Sequence, residues 1–209
     1  IGSRACSENG EKLANKFAKE LVEQEITIAS GMAIGIDTIA HQTTLEEKGK
    51  TIAVLGSGFE FIFPEENIEL YKQILKNNGL VITEYSPKIK AKSSNFLQRN
   101  RFVSGLSIGI LVIEAAYRSG TSVTAKLAQK QGRKVFAIPH EINDIHGVGT
   151  NRLIREGAKM VTRTEDIIKE FSFLTYKIPK KENIEKTHAK RKICNNQNYN
   201  QIYELITEE

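Results

Sequence analysis

Three short segments combine glycine with hydroxyl or basic side chains. They are Gly2-Ser3-Arg4, the stretch from Ser30-Gly31 to Gly35-Ile36-Asp37, and Arg118-Ser119-Gly120-Thr121 with Ser122 and Thr124 behind it. The second and third follow strand-like apolar runs and open helix-like ones. A glycine turn leading into a helix N-terminus presents backbone N–H groups, and such groups bind anions. Arg4, Arg99, Arg101 and Arg118 add forked donors that match a phosphate. The expected ligand is therefore phosphate, held in one crevice on which the three turns converge.

The turns do not carry a mononucleotide or dinucleotide signature. Gly31 and Gly35 lack the G-x-G-x-x-G spacing, and Ser119-Gly120-Thr121 lacks the Gly-Lys-Ser/Thr core of a P-loop. Asp37 fits either a helix cap or a partner for a sugar hydroxyl. Between residues 95 and 102, Arg99, Asn100 and Arg101 are flanked by Phe96 and Phe102. Arginine forks hold phosphates and aromatic faces stack on bases of any sequence, which suits a nucleic-acid strand. Composition alone favours the plainer reading of two core phenylalanines and solvated arginines.

Catalytic candidates are few. Cys6 lies near the first turn without a partner histidine in sequence, and there is no nucleophile elbow. Glu114 ends an apolar run, where it could serve as acid, base or scaffold. His140 and His146 stand six apart in loop-like sequence without a third ligand. Asn151 is placed to cap a helix or to face the crevice. No catalytic residue, metal or cofactor is expected.

The elements that must position these residues alternate. Strand-like runs are 27–29, 51–55, 80–83, 108–113, 134–138 and 159–161, mostly short and continuously apolar, as in strands covered on both faces. Leu13, Phe17 and Leu21 recur every four residues behind Ser7, a candidate N-cap. Later helices are expected over about 37–48, 66–77, 122–131 and 164–171, the last capped by Thr164. A further helix opens near 150 and stops at Gly157. The pattern predicts an α/β fold with an extended, mostly parallel, Rossmann-like sheet and helices on both faces. Its ligands sit at the carboxyl ends of the strands.

Three regions are expected: a Rossmann-like domain over 1–171, a basic linker over 172–197, and from 198 the start of a small helical, winged-helix-like domain, where Tyr199, Ile202, Tyr203 and Ile206 keep helical spacing. Ile1-Gly2 reads as the end of a strand. The formal charge is +5, and residues 177–192 alone hold seven Lys/Arg against two Glu. Residues 193–209 hold three Glu and no Lys or Arg, which leaves 1–176 at about +3. Any nucleic-acid site on the folded part must be a local patch. No apolar stretch is long enough to span a membrane. Cys6 and Cys194, in unlike contexts, suit a reducing cytoplasm.

Taken in order, these segments resemble the DprA family, also called Smf, the DNA-processing proteins of bacterial transformation. The resemblance rests on Gly2-Ser3-Arg4, Ser30-Gly31 to His41, Ile52–Gly58, Pro64–Asn67, Arg99–Ser107, Glu114–Ala125, Gln131–Pro139 and Gly149–Ala158, and covers about residues 1–171. It implies an extended Rossmann fold that binds single-stranded DNA without sequence preference, forms a homodimer, and loads RecA recombinase on incoming strands. It places the DNA pocket at Gly2, Ser3, Arg4, Arg99, Asn100 and Arg101, floored by Ser119, Gly120 and Thr121. His140-Glu141 stands where the family commonly has Gly-Ser or Gly-Thr. The alternative is a nucleotide or nucleoside-phosphate hydrolase of related Rossmann-like families, whose Pro-Gly-Gly-x-Gly-Thr-x-x-Glu motif carries a glutamate where Thr124 stands here.

Overall fold

The computed structural model describes residues 1–117 and 119–177. Arg118, the helix expected near Tyr199 and most of the expected linker lie outside the described residues.

The chain alternates helix and strand: α1 (Glu8–Glu23), β1 (Ile28–Ser30), α2 (Ile36–Glu46), β2 (Thr51–Val54), a 3-10 turn (Glu65–Asn67), α3 (Ile68–Lys76), β3 (Leu80–Ile82), α4 (Ser93–Leu106), β4 (Gly109–Val112), α5 (Gly120–Lys130), β5 (Lys134–Ala137), α6 (Val148–Arg155), β6 (Lys159–Met160) and α7 (Glu165–Ile168). All described strand pairs are parallel, in the orders β1-β2-β3 and β4-β5-β6.

Strand alternation shows why both faces are covered. On β4, Ile110 and Val112 enter one core cluster with Val103, Ala125, Ala128 and Leu153 of α4, α5 and α6. Leu111 and Ile113 turn the other way, toward Phe17 and Leu21 of α1 and Ile167 and Ile168 of α7. Phe136 and Val135 divide between the two clusters in the same manner. A third cluster packs Leu70 and Ile74 of α3 under Ala53, Leu55 and Val81. Continuous apolar runs are what such two-faced strands require.

The described strands form two parallel sheets of three, and packing continues beyond the expected domain end. An apolar cavity of about 380 Å³ is lined by Ile1, by Ile28 and Ala29 of β1 and by Ile110 and Leu111 of β4. Ile1 pairs there: its nitrogen donates to Leu111 O (2.9 Å) and its carbonyl accepts from Ile113 N (3.0 Å). Packing also continues past residue 171, since Leu174 and Tyr176 lie against the α1 core and Lys177 exchanges hydrogen bonds with Gln24 (2.6 and 2.9 Å).

The helix starts follow local chemistry. Ser7 caps α1, its hydroxyl accepting from Gly10 N (3.0 Å). Gly157 ends the α6 segment with φ +101°. Thr164 does not cap α7: its hydroxyl donates to Glu20 instead (2.6 Å), and the helix is one turn long. The apolar pattern does not predict α4. The buried side of this helix includes Asn95 and Arg99 beside Val103, so it lacks the apolar stripe by which a helix is read from sequence.

Candidate nucleic-acid interface

A crevice of about 490 Å³ opens at the carboxyl ends of β1 and β4, where α/β sheets bind ligands. The Gly2–Ala5 turn, the Gly31–Asp37 turn, one face of α4 and the first turn of α5 line it. The three turns do converge.

The first turn is held from three sides. Gly2 O accepts from Thr121 Oγ1 (3.1 Å), Ser3 O from Ile36 N (3.2 Å), and Ser7 is tied to Glu114 by its amide (3.0 Å) and its hydroxyl. Glu114 is fully buried and serves as a scaffold. Gly35, at φ +84°, supports the turn from beneath, because a Cβ there would run into the carbonyls of Ser3 and Arg4. Arg4 is thereby left exposed at the mouth, its guanidinium 5.6 Å from the centre of the Phe96 ring. Among the described residues no carboxylate pairs with it.

The second turn is used differently from the expectation. The Asp37 carboxylate accepts from Gly31 N (3.2 Å) and Ala33 N (3.4 Å), so these amides are taken. Arg99 lines the crevice but is 3% exposed, and its guanidinium donates to the carbonyls of Gly31 and Val54. Gly31 has to lack a side chain because a Cβ would sit 2.7 Å from the Arg99 guanidinium carbon. Burial pushes Arg99 below the usual arginine range, while Asp37 opposes that shift. Through Gly31, both side chains fix the crevice wall.

The third turn leaves the start of α5 facing the crevice. Ser119 caps α5 by accepting from Ser122 N (3.4 Å), and Ser119, Gly120, Thr121 and Thr124 face the crevice. The positive end of an 11-residue helix thus points at the space beside Arg4. Asn100 reaches across to Gly120 O (3.5 Å).

Of the predicted site residues, the crevice gathers Gly2, Ser3, Arg4, Gly31, Arg99, Asn100, Ser119, Gly120 and Thr121. It does not gather Ser30, Gly35, Arg101 or Phe102. Ser30 is buried under its turn, and Gly35 lies one layer behind Arg4. Arg101 pairs with Glu84 and covers the Phe102 ring (4.2 Å), which packs on the core. The reason is helical periodicity. Ser93, Phe96, Asn100 and Val103 share one face of α4 and line the crevice; Arg101 and Phe102 do not. Sequence reasoning misses Ser93 and Leu97 for the same cause.

The other candidates are engaged in local contacts. Burial and Glu114 push the Cys6 thiol up, the reverse of an activated nucleophile. The His140 ring sits between Asp144 Oδ2 (3.1 Å) and Ile113 O (2.9 Å). The Asn151 side chain closes on the main chain of His140 (3.0 and 2.9 Å) and does not line the crevice. Among the described residues no three His, Cys, Asp or Glu side chains gather as metal ligands, and no helix is long and apolar enough to cross a membrane.

Residues 1–172 match the sequence model of DNA recombination-mediator protein A. The chain belongs to the DprA/Smf family. It is 44% identical to DNA processing protein DprA of Streptococcus pneumoniae over 173 residues, covering 83% of this chain and 61% of that protein. It is 41% identical to protein Smf of Escherichia coli, covering 86% of this chain and 48% of that one. The chain thus spans about half to three fifths of the length of these relatives. Among solved structures, DNA processing protein A from Helicobacter pylori, a protein with a distinctive single-stranded DNA binding mode, superposes with a TM-score of 0.74 at 30% identity, over 81% of this chain and 77% of its own.

Proposed function

We propose that this DprA/Smf chain binds single-stranded DNA without sequence preference, protects incoming strands, and loads RecA recombinase on them during natural transformation, acting as a homodimer and not as an enzyme. The observation that carries the reading is Arg4, with no carboxylate partner among the described residues, held over Phe96 at the mouth of a crevice floored by the α5 N-terminus. A phosphate fits between guanidinium and helix end, and a base fits on the ring. Sequence-specific edge readers are not needed for either contact. The family's name as a recombination mediator supports the RecA step, and the Helicobacter relative supports the choice of ligand.

The hydrolase alternative finds less support. Asp37 is the carboxylate of the crevice lining, and it is engaged by two backbone amides beside Arg99. Thr124, at the position where related hydrolases carry glutamate, donates to Gly120 O (3.3 Å). A gel shift with single- and double-stranded oligonucleotides at two salt concentrations tests the binding reading. A single-strand preference that weakens with salt is expected. Equal binding of both forms, or release of free base from nucleoside monophosphates, would reject it.

A further inference from the structure

Three phenylalanines stand exposed within five residues of one loop: Phe59 (43%), Phe61 (36%) and Phe63 (46%). Large aromatic side chains cost free energy in water, so a cluster of them at the surface marks a binding face. Across from this loop runs another, Ser86–Lys92, with Lys88, Lys90 and Lys92 all exposed. The two loops are tied together by Gly58 N to Ile89 O (2.8 Å) and Glu60 N to Pro87 O (3.1 Å). They form one ledge, on which Lys90 Nζ lies 5.2 Å from the centre of the Phe61 ring.

The ledge is continuous with the crevice. Phe63 contacts Phe96 with ring centroids 5.5 Å apart, and Phe96 lies under Arg4. Asn95, near the start of α4, anchors the basic loop, its backbone amide donating to Lys92 O (2.9 Å) and its side chain to Lys90 O (3.5 Å). The same helix therefore fixes both the crevice wall and the lysine loop.

We propose that this ledge is a second nucleotide-binding step. Bases of a single strand leaving the crevice past Phe96 stack on Phe61 and Phe59, while the lysines face its phosphates. The inference rests on the reading of the crevice as a single-strand site. Glu60 stands on the aromatic loop, and Glu65 and Glu66 follow it, which offsets much of the lysine charge. Stacking, which every base offers, supplies the larger part of the binding here.

The chain has no tryptophan, so Phe61→Trp places a single reporter on the ledge. The probes are oligothymidylates of roughly 5 and roughly 16 nucleotides, within the span of single-strand site sizes. The longer probe should quench the indole fluorescence of that variant, and the shorter should not. Phe59→Ala/Phe61→Ala should weaken the longer probe about tenfold or more and leave the shorter unchanged, whereas Arg4→Ala weakens both. Equal loss on both probes, no loss on either, or no quenching by the longer probe would overturn the ledge while leaving the crevice standing. Failure of the unmodified protein to bind either probe would overturn both.

Discussion

Arg99 donates its guanidinium to the main-chain carbonyl of Gly31, closing the space between α4 and the turn after β1. An arginine that reads as a ligand contact in sequence is thus a buried tie, shared with the Val54 carbonyl and facing Asp37. Removing it leaves the Gly31 and Val54 carbonyls without their donor. Leaving a buried acceptor unpaired typically costs about 1–3 kcal/mol, so about 3 kcal/mol is expected for the two. Arg99→Ala should therefore lower the melting temperature by about 6–12 °C for a domain of this size. Arg99→Lys, which lacks the fork, should recover only part of that loss. Thermal melts of the three proteins decide the point, and an unchanged melting temperature in Arg99→Ala would show the tie to be dispensable.

Arg4 carries the opposite expectation. It is exposed, pairs with no carboxylate among the described residues, and rests on Phe96. Arg4→Ala should weaken binding to random single strands by about tenfold, or about 1.4 kcal/mol. It should also reduce the slope of log affinity against log salt by about one. Stability should stay within about 0.5 kcal/mol of the parent. Titrations across a salt series, alongside a thermal melt, separate a lost phosphate contact from a damaged fold. An unchanged salt slope would remove Arg4 from the interface.

The contrast between these two arginines shows what sequence can and cannot reveal. The strands are legible because residues buried on both faces, such as Ile110 to Ile113, leave an unbroken apolar run. The three turns are legible because each joins glycine to hydroxyl or basic side chains beside an apolar run. The helix α4 is not, because Asn95 and Arg99 occupy buried positions that pattern reading reserves for apolar side chains. Without that helix, Arg99, Asn100 and Arg101 look equivalent, whereas a helix turns successive residues by about 100°. Nor can composition show that Asp37 already occupies the amides of Gly31 and Ala33. That contact depends on how α2 leaves the turn.

Glu114 and Ser7 join the end of β4 to the start of α1, and through it they hold the Arg4 turn. Glu114→Ala would leave the Ser7 amide without its acceptor in a part-buried place. Such a loss costs about 1–3 kcal/mol. The expected result is a lower melting temperature together with weaker binding of single strands, even though Glu114 touches no ligand. Glu114→Gln keeps an acceptor oxygen and should fall between the two. If Glu114→Ala bound single strands with unchanged affinity, the carboxylate would have no part in placing Arg4.

His41 gives the fold a defined response to acid. Its ring is fully buried, Nδ1 lies 2.6 Å from Thr51 Oγ1, and among the described residues Nε2 has no partner. Burial lowers its pKa from 6.5 to about 4; Asp37 works against the change, and Arg99 assists it. Above pH 6.5 the ring is neutral in both folded and unfolded chains, so it contributes no pH dependence. Between pH 6.5 and about 4 the unfolded chain takes up a proton that the folded chain refuses, and stability falls as pH falls. The total loss from this group approaches about 3 kcal/mol, since each tenfold change in a proton equilibrium is worth about 1.4 kcal/mol. Denaturant unfolding at pH 7.5, 6, 5 and 4.5 should show that decline in the parent protein. His41→Gln, neutral at every pH, should lose stability at pH 7.5 but show a shallower decline below 6.5. Parallel curves for the two proteins would mean that the acid response comes from other groups.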